Sequence, residues 1–400
     1  MADDNWIRSN ADFEYVNWGE SGDIVSIQNS DDLELEFYLY SQNFHQAAEQ
    51  AAEYLLTTSV VTHDIAKLDT WFFAVVYLYR QSLELILKAI LFKNLTGPQA
   101  RIDVLNEVGH DLSKCFSYIK AELKIDSDHS VGVNLRWVGE FLDNISAVDE
   151  QSDMFRYPFN HQMKMFFTEQ THIDFYSVRQ NLTIAYSILC ELFSNNFSSE
   201  SYKLRSPRFI VTGGDYWKQV VIGYKFSQNQ YYPYIKGYQE AAKFLRTAMQ
   251  TDIYQDKLFL PMCYLYRNAV ELGLKRILVN NLKTPYDKVK KKKHGLKGLW
   301  QKIRDNGDIE KYANAPEDDT ILADVDTYLN QLHNIDGDST KFRYPVDKNL
   351  RFHFSRKKLF SIANVSSYFD DLMEFFDGVD TELTRVREWE NEMMSDGEIE

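Results

Sequence analysis

The stretch Tyr77-Leu-Tyr-Arg-Gln-Ser-Leu-Glu-Leu-Ile-Leu-Lys88 occurs twice, returning as Tyr264-Leu-Tyr-Arg-Asn-Ala-Val-Glu-Leu-Gly-Leu-Lys275. A second block, Phe155-Arg-Tyr-Pro158, returns as Phe342-Arg-Tyr-Pro345. Both pairs carry one offset, 267 − 80 = 187 and 343 − 156 = 187. Between them, Gly109-His-Asp-Leu112 aligns with Lys293-His-Gly-Leu296 at 294 − 110 = 184. Phe141-Leu142 and Asp149 map onto Tyr328-Leu329 and Asp336, and Gln50-Ala-Ala-Glu-Tyr-Leu55 resembles Glu240-Ala-Ala-Lys-Phe-Leu245. Blocks in one order at nearly one spacing imply an internal duplication. A period of about 190 residues is a domain and not a solenoid unit.

Within the repeated stretch, Leu83, Ile86, Leu87, Ile90 and Leu91 recur at steps of three and four, the helical period. The same reading predicts helices over 42–57, 69–94, 110–123, 131–147 and 173–194, and again over 231–249, 256–281, 295–305, 318–334 and 357–376. The expected fold is mainly α: two similar helical bundles, each with a small β-hairpin-like lead-in. The second lead-in is Arg208-Phe-Ile-Val-Thr, a Gly213-Gly-Asp turn and Val220-Val-Ile-Gly-Tyr. The first is Asp23-Ile-Val-Ser-Ile-Gln with Leu33-Glu-Leu-Glu-Phe, a weaker alternation. The polar run Asn195–Ser201 separates a first domain, 1–196, from a second, 200–378. The acidic end, 379–400, is expected to be solvated or frayed.

Composition sets the outer bounds. Gly (17) and Pro (8) are scarce while Tyr (25) and Phe (26) are abundant, which favours helices over a turn-rich sandwich. A net charge of −15 argues against coating of duplex nucleic acid, though a local basic patch can still bind it. The window Trp71 to Phe92 is the most apolar, yet Arg80, Glu84 and Lys88 lie inside it. Three charges there are too costly in a bilayer, so it reads as a core helix with no membrane partner. Cys115, Cys190 and Cys263 form no CxxC, and the polar N-terminus gives no secretion signal. Reduced thiols in a cytoplasmic protein are expected. P-loop, Rossmann and HExxH motifs are missing, so no cofactor or metal is expected.

The repeated polar residues are the candidates for chemistry. Arg80, Glu84 and Lys88 stand at i, i+4 and i+8, and Arg267, Glu271 and Lys275 repeat the stripe, so each Glu can pair with either cation. His110 and His294 follow one loop later, and Arg156 and Arg343 precede the last helix of each half. Two readings stay open. The cluster either braces helix register from inside the core, or lines a pocket in which Arg holds phosphate charge and His or Glu moves a proton. The run Lys288-Val-Lys-Lys-Lys-Lys293, with Lys290, Lys291, Lys292 and Lys293 ahead of His294, is either a solvated loop or a phosphate contact. Trp300 close by either stacks a base or anchors the core.

Tyr-Arg-x₃-Glu-Leu-x-Leu-Lys, then His-x-Leu, then Phe-Arg-Tyr-Pro resembles HEPN-type helical proteins, the higher eukaryote and prokaryote nucleotide-binding superfamily. The likeness covers about residues 40–195 and 230–376. Ribonucleases of that family carry Arg, four to six residues, then His, and Arg156-Tyr-Pro-Phe-Asn-His161 is similar to that motif. In the second copy Lys348 stands where His161 does in the first, and the next histidine is His353. The resemblance implies a paired architecture, supplied here within one chain as a pseudo-dimer. It also implies roles. His161 is the base or acid, Arg156 and Arg343 hold a phosphate with Tyr157 and Tyr344 beside them, and Glu84 or His110 orients the imidazole, all without metal. The function it implies is a prokaryotic defence or stress protein that cuts RNA or senses a nucleotide ligand. The competing class is a non-catalytic interaction module whose protein partner is encoded nearby.

Overall fold

A helix closed off from water on every face lies at the centre of a core. Helix α2, Ala66–Asn94, is such a helix: every residue from Trp71 to Phe92 is buried, Arg80, Glu84 and Lys88 included. The structure, a computed structural model, describes residues 23–123, 130–160, 162–197, 201–223, 230–251, 255–292, 294–307, 309 and 320–397. Among them no helix is long and apolar enough to cross a membrane. The fold is mainly α-helical, as the residue periodicity predicts.

The elements run in chain order as β1 Ile24–Ile27, α1 Leu33–Thr62, α2, α3 Pro98–Val108, α4 Leu112–Leu123, α5 Ser130–Asp149, β2 Thr171–Asp174 and α6 Phe175–Ser194. There follow β3 Gln219–Ile222, α7 Tyr232–Thr251, α8 Gln255–Arg276, α9 Tyr286–Lys290, α10 Leu296–Arg304, α11 Ile321–Asp336, β4 Lys358–Ser361 and α12 Ile362–Gly397. A single π-turn, Ile277–Asn281, continues α8.

These elements pack as two units, Ser26–Leu265 with Lys341–Lys358, and Met1–Val25 with Tyr266–Thr340 and Leu359–Glu400. This division differs from the expected 1–196 and 200–378. One reason is that the segment after Phe342-Arg-Tyr-Pro345 belongs with α1 and α2. Gln81 Nε2 donates to the Arg343 carbonyl at 3.3 Å, and Phe354 and Asn29 exchange two hydrogen bonds of 2.8 and 2.9 Å.

The first unit is built on α1, α2, α6 and α7. Phe72 meets Phe155 and Phe175 edge-on, Phe37 meets Phe92, and Tyr77 stacks on Tyr264 at 4.8 Å. In the second unit Tyr266 stacks on Phe369 and Tyr328 on Tyr368, and Trp300 packs against Phe375 and Phe376.

Three local expectations are corrected. Leu33–Phe37 is not a strand but the first turn of α1. Asp32 caps that turn by accepting from Leu35 N, and Leu33, Phe37, Tyr40 and Phe44 all face the core at helical spacing. The segments 208–212 and 219–222 do not form a hairpin with each other, because both lie against β2. That strand pairs antiparallel with β3, Thr171 opposite Ile222 and Asp174 opposite Gln219, while Ile173 bridges Thr212. Burial of Ile173, Val220 and Ile222 on one face fixes this register. The acidic end is helical through Gly397. Its first turns dock through Asp380, which meets Arg276 Nε at 3.2 Å and accepts from Asn281, whereas every side chain from Glu388 to Met394 is exposed.

The approach of α7 to α2 depends on one glycine. A Cβ on Gly237 would sit 2.0 Å from the Thr70 carbonyl oxygen, a backbone atom that cannot move aside. Gly237→Ala is expected to lower stability by about 1–3 kcal/mol, read as a lower melting temperature. Alanine's better helix propensity acts the other way, so an unchanged or raised melting temperature would contradict this packing.

Candidate functional site

The stripe on α2 becomes a closed charge network. Arg80 Nη1 donates to Glu84 Oε2 at 2.9 Å, Lys88 Nζ to Glu84 Oε1 at 2.6 Å, and Arg80 Nε meets Asp149 Oδ2 at 3.2 Å. Arg80 Nη2 donates to the carbonyls of His110 and Asp149. The guanidinium is 0% exposed. His110 comes from the turn ahead of α4 and places Nδ1 3.0 Å from Glu84 Oε1. Tyr344 adds its hydroxyl to the same oxygen at 2.7 Å, with Lys88 Nζ 5.0 Å from its ring centroid. Burial opposes a charge on Glu84, but Lys88, His110 and Arg80 outweigh it and hold the carboxyl well below the usual range. Glu84 pulls His110 upward, while burial, Lys88 and Arg156 overcome that pull and leave its pKa below the ordinary value. A neutral imidazole then donates through Nδ1 to Glu84, and Nε2 is left as a basic lone pair on a ring that is 35% exposed.

The second unit repeats the network. Arg267 pairs with Glu271 at 2.8 Å and with Asp336 at 3.4 Å, Lys275 with Glu271 at 2.7 Å, and His294 Nδ1 lies 3.0 Å from Glu271. Arg267 Nη2 donates to the His294 carbonyl at 2.6 Å, as Arg80 does to His110. Burial again opposes the Glu271 charge, and Lys275, His294 and Arg267 hold it well below normal. The loops after the two Phe-Arg-Tyr-Pro motifs match as well. Phe159 bridges Met165 and Val346 bridges Phe352, with left-handed turns at Met163 and Leu350.

Arg156 and Arg343 do converge, but on aromatic rings. Arg156 lies over Tyr77 at 6.0 Å and over Tyr157 at 5.1 Å. Arg343 lies over Tyr264 at 5.5 Å and over Tyr344 at 5.2 Å. Tyr77 and Tyr264 are the stacked pair, so two buried cations bracket one tyrosine stack. Arg156 also donates to Ser152 O and Asp153 Oδ1. Of the two motif segments, the one that reaches Glu84 is the later, through Tyr344. Arg80 and Arg267, read as phosphate ligands, are sealed from solvent and face carboxylates and carbonyls of the protein. Lys290, Lys291 and Lys292 are exposed, as either reading of the basic run requires. Trp300 is 3% exposed and anchors the core, out of reach of a base. His161 and Lys293 lie outside the described residues.

One cluster gave no sequence signal. Glu49 of α1 accepts from Tyr79 and Thr183 and from Arg179 Nε and Nη2 at 3.1 and 2.8 Å, and Arg179 also reaches Glu53. His45 stacks on Tyr186 at 3.8 Å, and burial pushes its pKa down to about 4. Partners 126–134 residues apart leave no local pattern to find.

No protein-family model, no curated protein and no solved structure matches this chain. Its chemistry therefore rests on the geometry above.

The closed network predicts two outcomes. Glu84→Ala and Glu271→Ala each strand a buried guanidinium and should each cost about 3–5 kcal/mol, seen as comparable falls in melting temperature. A stable Glu84→Ala protein would contradict the brace. The pH dependence follows from the depressed pKa values. Below about pH 4.3 the unfolded carboxylates take up protons while Glu84 and Glu271 stay ionised. Their stabilisation is thus complete at neutral pH and lost as pH falls through that range. The melting temperature of Glu84→Gln should therefore fall less steeply than that of the wild type between about pH 5 and pH 3.

Proposed function

We propose that this chain is a HEPN-like, internally duplicated helical protein acting as a non-catalytic interaction or regulatory module. We place it in the cytoplasm, within a prokaryotic defence or stress system, with a protein partner encoded nearby. The observation that carries this reading is the burial of Arg80 and Arg267, each enclosed by two carboxylates and backbone carbonyls. A cation in that state is closed off from solvent and fixes helices to one another. Support for the duplication comes from the 187-residue offset reappearing in paired ion pairs, in β-bridges and in left-handed turns. A fold kept with the same brace in each half suits a scaffold on which surfaces are varied.

A ribonuclease reading is favoured by one feature, the Glu84–His110 dyad. A neutral, partly exposed imidazole oriented by a carboxylate is the arrangement a general base needs. The two readings separate in metal-free incubation of total RNA with wild type, His110→Ala and His161→Ala. Intact RNA in all three is the expected result. Cleavage by the wild type that disappears in either variant would replace the module with the nuclease.

A further inference from the structure

The buried networks leave a group of surface cations beside α6 unused. Helix α6 and the extended segment behind it border an open cleft of about 660 Å³, lined among others by Tyr176, Arg179, Gln180, Lys203 and Arg205. Lys203 and Arg205 are exposed, and among the described residues neither they nor Lys218 has a carboxylate within ion-pair distance. In a chain of net charge −15, Lys203 and Arg205 on the cleft wall, with Lys218 beside Tyr176, form a local positive field. Two of them lie against one aromatic ring. The Arg205 guanidinium carbon lies 5.7 Å and the Lys218 ammonium 5.4 Å from the centroid of Tyr176, which is 37% exposed.

The parts are held in place. Gln180 Nε2 donates to the Tyr176 hydroxyl at 2.6 Å, and Arg205 Nη1 donates to Ser177 Oγ at 3.0 Å, leaving most of its donors to solvent. Glu49 also lines the cleft, but Arg179, Tyr79 and Thr183 already occupy its oxygens, so its charge is compensated from inside the protein.

We propose that this cleft binds a nucleoside phosphate, with Lys203, Arg205 and Lys218 taking the phosphate oxygens and Tyr176 stacking the base. Arginine and lysine make charge-assisted hydrogen bonds to phosphate, and a partly exposed aromatic ring stacks bases without regard to sequence. The volume suits one nucleotide and not a folded partner. The site is independent of the braced clusters and holds whether or not the protein cuts RNA.

The test is titration calorimetry of the full chain with ATP, with tripolyphosphate and with a short single-stranded RNA. ATP should bind the wild type, and the Lys203→Glu/Arg205→Glu variant should lose at least about tenfold in affinity, with binding that weakens as salt rises. Tyr176→Leu should weaken ATP by about tenfold and leave tripolyphosphate unchanged. RNA binding that ATP displaces assigns the ligand to a nucleotide within a strand, and no RNA binding assigns it to a free nucleotide; both keep the site. The proposal is overturned if ATP does not bind, if either variant binds it like the wild type, or if RNA binds without competition from ATP. It also fails if Lys290→Glu/Lys291→Glu, on the separate basic run, is the variant that abolishes ATP binding.

Discussion

A guanidinium with no access to water must be given acceptors by the chain around it, because leaving its donors unmet costs more than the core gains by enclosing it. Arg80 and Arg267 impose this constraint in each unit. Satisfying Arg80 takes Glu84 from one turn along α2, Asp149 from the end of α5, and the His110 carbonyl from the turn before α4. Three elements are thereby fixed against one another by a single side chain. Lys88 and the His110 ring then complete Glu84, so removing any member leaves a charge exposed to a low dielectric.

How much of this could be read from residues alone depends on the range of each interaction. The i, i+4, i+8 stripe was legible, because a helix brings those positions together by its own geometry. The pairing of Asp149 with Arg80 was partly so: its counterpart at 187 residues marked Asp149 as worth keeping, though nothing said what it met. The tyrosine stack with its two flanking arginines was not, since Tyr77 and Tyr264 meet only once the chain has folded. The β-lead-in failed for a related reason. Thr171-His-Ile-Asp is too short to announce a strand beside a strong helix, yet it supplies the edge against which β3 pairs. Leu33–Phe37 alternated like a strand and became helix because Asp32 caps it. Local pattern named the elements well, and partners many tens of residues away decided what they became.

Burial also changed the meaning of the same residue types. Arginine, glutamate and histidine in a repeated motif read equally well as a site or a brace. Both guanidiniums of the repeated motif are fully buried, as a brace requires, while the cleft beside Tyr176 carries its cations on the surface, where charge remains free to act.

The hydrogen bond from Tyr344 to Glu84 spans 260 residues. A ribosome adds about 5–20 residues per second, so on the order of 15–50 s separate the emergence of Glu84 from that of its last partner. Through that interval α2, whose residues Trp71 to Phe92 are all buried in the final fold, has left the exit tunnel without the Arg343–Tyr344 segment that finishes its polar stripe. Its early companions are only α1 and the helices that follow. The nascent protein thus holds this charge cluster incomplete until Tyr344 has emerged, and apolar surface left uncovered for that long is what chaperones bind.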